Sequence, residues 1–259
     1  MKNPVKSDTL KYLILGSGGL GLVLRILLYA TGIDGRGLLV KGHWASVALC
    51  VLTVAVLAAV FLTTRLFCAA ANYRTAYPAS VIAAVGAFAA MIGIGITTVT
   101  EFAEFSSRIH LIVWILGLIS TLSMGCIGIC RLTGKKPSFL LYAAICLYFA
   151  LRMVSRYQRW SADPQLHDYC FYLMAYVALM LAAYQHAAFH ADMGNDRALW
   201  FCSLTAVYFC CVSLKESPDT WLLLGCGSWA FTNLTNIAAS SPRCAKSDAG
   251  EETDRREQT

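Results

Sequence analysis

FLLYAAICLYFALRMVSRYQRW, residues 139–160, is an apolar run interrupted on one face by Tyr148, Arg152, Arg156 and Arg159. About twenty mostly apolar residues, rising 1.5 Å each, cross the hydrocarbon core of a bilayer. The interrupting residues fall at i, i+4, i+8 and i+11, which a 3.6-residue period stacks one above another. Arginine near hydrocarbon costs several kcal/mol unless it is paired, hydrated or drawn to the interface. The segment therefore reads as a membrane helix whose charged stripe requires a reason.

Outward from it, seven more segments approach spanning length, so the expected spans are 10–31, 44–66, 79–99, 110–130, 139–159, 168–190, 198–214 and 221–239. Turns rich in Gly, Pro, Asp and Ser separate them, as in ThrGlyLysLysProSer before the fifth and LysGluSerProAspThr before the eighth. The pattern predicts an all-α integral membrane protein, a compact antiparallel bundle of eight transmembrane helices, or seven. Residues 1–240 read as one polytopic transmembrane domain and 241–259 as a disordered polar cytoplasmic tail. The opening Lys2, Lys6 and Lys11 precede a run too long for a secretory signal, so it reads as a retained anchor.

Composition supports this class. Of 259 residues 58% are hydrophobic and 14% charged, with mean hydropathy +0.58, against about 25% charged in soluble domains. The net charge of +6 is spread over short loops, which argues against nucleic acid and for topology signals. With both termini in the cytoplasm, about thirteen Lys and Arg fall inside and about seven outside. The expected location is a multipass cell membrane, and Arg152, Arg156 and Arg159 oppose the positive-inside bias. Nine of the eleven cysteines lie in apolar runs and none forms C-x-x-C, so buried thiols are expected rather than zinc or redox sites.

One end of the predicted bundle gathers Arg25, Glu101, Glu104, Arg108 and His110 with the arginine stripe and Asp163, His167 and Asp168. Arg152, Arg156, Arg159, Tyr148, Tyr172 and Tyr176 are the candidate ligand-binding residues, because arginine grips a carboxylate or phosphate bidentately and a tyrosine hydroxyl adds a partner. Arg25, Glu101, Glu104, Asp163 and Asp168 form a candidate gate or ion-pair network. Asp163 and Asp168 are expected to quench the stripe when no ligand is bound.

His186 and His190 carry the i, i+4 spacing that can place two imidazoles on one metal, with Asp192 nearby. That spacing supports an alternative, an intramembrane metal-dependent enzyme acting on a lipid-like substrate, but further ligands fall at the opposite end. GlySerGlyGlyLeuGly at 16–21 matches a dinucleotide fingerprint only formally, since it lies inside a span rather than between a strand and a helix. No cofactor and no catalytic residue is expected. The leading reading is binding or transport of a small polar solute, anionic or zwitterionic, through an outward-facing charged vestibule. A ligand-sensing or assembly protein is the third reading. Membrane lipids, and an oligomer or membrane partner protein, are the expected associates.

Overall fold

A computed structural model describes residues 7–32, 42–67, 79–102, 108–160, 169–191, 193–215 and 219–240. Among them lie eight α-helices and no strand: α1 (Ser7–Thr31), α2 (Trp44–Phe67), α3 (Val81–Phe102), α4 (Arg108–Thr133), α5 (Phe139–Trp160), α6 (Cys170–His190), α7 (Asp196–Val212) and α8 (Thr220–Ser240). Six, α1 to α6, are long and apolar enough to cross a membrane. Residues 241–259 lie outside the described residues.

Neighbouring pairs α3–α4, α4–α5, α5–α6, α6–α7, α7–α8 and α8–α3 close a ring of six helices, and the α1–α2 hairpin packs outside it on α7. α7 spans only 17 residues, about 25 Å at 1.5 Å per residue. Its residues from Leu199 to Cys210 are almost all buried, and a helix apolar all round belongs in a core. Neighbours α1, α2, α6 and α8 cover it, so it does not have to match a bilayer's thickness on its own.

Helix ends differ from the expected spans where polar residues find partners. α3 continues past 99 and holds Glu101 in its last turn, because the carboxylate is met by arginine from α5. α7 starts two residues early, where the Asn195 side chain caps it by accepting from the Arg197 backbone N–H at 3.1 Å. The cysteines divide: Cys202, Cys210 and Cys226 are buried, whereas Cys50, Cys126 and Cys170 face outward. An apolar exterior accepts a small thiol as readily as a core does.

The closest helix pair is α3 with α8, in antiparallel register. A Cβ added at Gly93 would strike the Trp221 carbonyl oxygen, one at Gly225 the Ala89 carbonyl oxygen, and one at Gly86 the Thr232 hydroxyl. Small residues let helix backbones approach in this way. In α1, Gly18 and Gly21 meet Cys211 and Val212 of α7, so the 16–21 fingerprint is continuous helix with no phosphate-binding turn.

This seam predicts a contrast. Gly225→Leu should lower thermal stability in detergent by about 1–3 kcal/mol or more through overpacking. Gly19→Leu, with nothing within 4 Å of its added Cβ, should leave the melting temperature unchanged or raised.

Candidate functional site

At the end of the ring where α3 and α5 finish and α6 and α8 begin, Arg152 and Arg156 reach the centre one turn apart. Arg152 is 1% exposed, and all five of its N–H donors are used. Nη1 and Nη2 donate to Glu101 Oε2 and Oε1 at 2.8 Å each, a two-pronged match to the carboxylate plane. Nη2 also donates to Asp219 Oδ1 at 2.7 Å, Nη1 to the Tyr148 hydroxyl at 3.0 Å, and Nε to the Tyr176 hydroxyl at 3.1 Å and Asp219 Oδ2 at 3.3 Å. Arg156 Nη2 donates to Glu101 Oε1 at 2.8 Å and to Asp219 Oδ1 at 2.9 Å. Two guanidiniums thus meet two carboxylates, and the formal charges cancel.

Asp219 directly precedes α8, whose first turn begins with the Leu223 N–H bonding to the Asp219 carbonyl at 3.0 Å. Its side chain turns inward and also accepts from the hydroxyls of Tyr172 and Tyr176. These hydroxyls lie 2.7 Å from each other, so two hydroxyl protons serve three close contacts. Burial alone would push the Asp219 carboxyl up, but Arg152 and Arg156, with the two tyrosine hydroxyls, hold it down to about 2.

Six of the residues expected at a site therefore come together: Arg152, Arg156, Tyr148, Tyr172, Tyr176 and Glu101. Arg25 lies with its guanidinium over the rings of Phe171, at 5.5 Å, and Tyr29, at 5.8 Å. Glu104, Asp163 and Asp168 lie outside the described residues, as does the Arg159 side chain. Asp219 went unanticipated. It sits 63 and 67 residues from its arginines, inside a SerProAspThr stretch that reads as turn punctuation. The available cue was an acid at a helix start, on the end of the bundle shared with Arg156.

A second polar layer occupies the ring's other end. His190 Nε2 and the Tyr142 hydroxyl share a hydrogen bond of 3.1 Å. The Tyr142 ring stacks on both His190 and His186, and His186 packs on Trp229. Arg131 Nη2 donates to Asn233 Oδ1 at 3.2 Å. Among the described residues no group of three or more His, Cys, Asp and Glu side chains can hold a metal ion, and Asp192 lies outside them. Buried Ile145, Phe149, Leu179, Ala182 and Ala183 separate the two layers along α5 and α6.

Removing one partner of a buried ion pair costs about 3–5 kcal/mol. Asp219→Asn should approach that loss in detergent melts at neutral pH, and Glu101→Gln, at the more exposed carboxylate, should lose less. A carboxyl whose folded pKa is depressed adds stability above its unfolded value and loses it as pH falls through the folded one. The wild-type melting temperature should accordingly drop between pH 3.8 and about 2, and Asp219→Asn should remove that part of the drop.

No protein-family model, curated protein or solved structure matches this chain.

Proposed function

We propose that the chain is a multipass membrane protein that binds a small carboxylate-bearing solute at Arg152 and Arg156, in exchange for Glu101. Six long apolar helices support the membrane setting. The observation that carries the site reading is an asymmetry in exposure. The Glu101 side chain is 27% exposed, against 1% for the side chains of both Arg152 and Asp219.

Glu101 stands in the last turn of α3 at the rim, and its carboxylate occupies the arginine fork as a ligand's carboxylate would. When it swings outward, three strong N–H donors from Arg152 and Arg156 become available, while Asp219 stays fixed by both arginines and two tyrosines. A solute that brings only negative charge leaves the site with one excess anion. A zwitterion keeps the count neutral, because its ammonium pairs with the displaced Glu101. An amino-acid-like solute, with a carboxylate and an ammonium a few bonds apart, therefore fits best. Tyr148, Tyr172 and Tyr176 would shape the space around it.

A second reading has its own support: every N–H of Arg152 is satisfied within the protein, as in a clamp that holds α3, α5, α6 and α8 together for assembly. Thermal-shift titrations of purified protein with glycine, β-alanine, acetate and phosphate separate the two. Exchange predicts stabilisation by a zwitterion, a weaker effect of acetate, and loss of both in Arg156→Gln. It also predicts that acetate rescues the stability of Glu101→Ala. A wild-type protein that responds to none of the probes, with no rescue of Glu101→Ala, supports the clamp and sinks the exchange reading. Uptake into proteoliposomes then separates a transporter, which accumulates solute, from a sensor, which only binds it.

A further inference from the structure

A groove of about 230 Å3 runs between α1, α7 and α8, lined by Leu15, Val207, Cys211, Leu214, Leu224 and Phe231 among others. Its walls are almost wholly apolar, and it opens sideways from the bundle. Along α8 it extends from Leu223 to Phe231, about 12 Å at 1.5 Å per residue. That shape takes a flexible hydrocarbon chain.

Charge marks one end of the groove. Lys215 follows the lining residue Leu214, is exposed, and lies with its ammonium 5.4 Å from the centre of the Tyr29 ring. Among the described residues it meets no carboxylate. The Arg25 guanidinium lies 5.8 Å from the same ring but is buried, so Lys215 is the cation that reaches the surface there. Tyr29 is fourteen residues beyond Leu15, close to four helical turns, and so shares the face of α1 that borders the groove, about 21 Å further along. An exposed cation at the end of an apolar groove is complementary to an anion with a hydrocarbon tail.

We propose that the groove between α1, α7 and α8 seats an acyl chain of an anionic glycerophospholipid whose phosphate lies at Lys215. The site rests on the membrane reading, although it is separate from the Arg152 cluster. Tyrosine at that level supplies the amphipathic ring that membrane interfaces favour.

The test uses delipidated full-length protein in detergent, titrated with fluorescent phosphatidylglycerol and phosphatidylcholine of identical chains. Phosphatidylglycerol should bind the tighter of the two, and Lys215→Gln should weaken it about fivefold, the loss of one near-surface cation, without changing phosphatidylcholine. Ser228→Trp, in the α8 wall of the groove, and, from the opposite wall, Leu15→Trp should each weaken both lipids, with unchanged melting temperatures as the folding control. Soluble glycerol phosphate should not compete. Equal affinity of wild type for the two lipids, an unaltered preference in Lys215→Gln, or full displacement by glycerol phosphate would overturn the site. Alkaline carbonate extraction distinguishes the two failures. A chain released from membranes overturns the membrane reading, whereas a retained chain with no lipid preference overturns the lipid site alone.

Discussion

Two guanidiniums inside an apolar bundle must be neutralised by carboxylates from elsewhere in the chain, and much of the architecture follows from meeting that demand. Arg152 and Arg156 project from a single face of α5, but their counter-charges come from the end of α3 and from the turn before α8. To deliver both carboxylates to one point, α3 and α8 must run side by side at close range. The glycines at 86, 93 and 225 make that approach sterically possible. Desolvating charges is expensive even when they are paired, so the full use of the Arg152 donors is a condition for burying the group at all.

Along the ring's axis, polar and apolar layers alternate. The arginine cluster closes one end, the Tyr142, His186, His190 and Asn233 layer closes the other, and on α5 and α6 aliphatic and aromatic side chains fill the space between. A solute held at Arg152 would sit above that filled middle, with no buried polar side chain between the layers among the described residues of α5 and α6. Movement across the bundle would accordingly require the middle to reorganise, whereas binding at the rim requires only Glu101 to leave. Under the proposed exchange, the cluster is thus better prepared for recognition than for passage in the arrangement described.

Hydropathy and helical period were enough to place the eight helices, because apolar length is a local property that the sequence displays directly. The same period placed Tyr148, Arg152 and Arg156 on one face and Tyr172 and Tyr176 on one stripe of α6. Counting ends of the bundle brought Glu101 to them. Asp219 was illegible for a different reason: its role depends on which two distant helices pack together, and the glycine contacts that decide this have no periodic signature. Arg25 shows the same limit, since stacking on Phe171 and Tyr29 reflects side-chain direction at a helix crossing. The cysteines mark a third limit, because in a chain with an apolar exterior hydrophobicity no longer separates inside from outside.

The order of the partners along the chain has a consequence for synthesis. Glu101 precedes the arginines and Asp219 follows them by 63 residues from Arg156, so the cluster assembles in two stages as the polypeptide emerges. When α5 first brings Arg152 and Arg156 to Glu101, two guanidiniums share one described carboxylate, and the nascent bundle carries an excess positive charge at that end. The α7–α8 hairpin brings the missing anion, the Asp219 carboxylate, which both tyrosines bind and which fixes both arginines. The last of the eight described helices to leave the ribosome is therefore the one that renders the earlier ones electrically neutral, so a chain cut short before residue 219 would expose its defect as unbalanced charge.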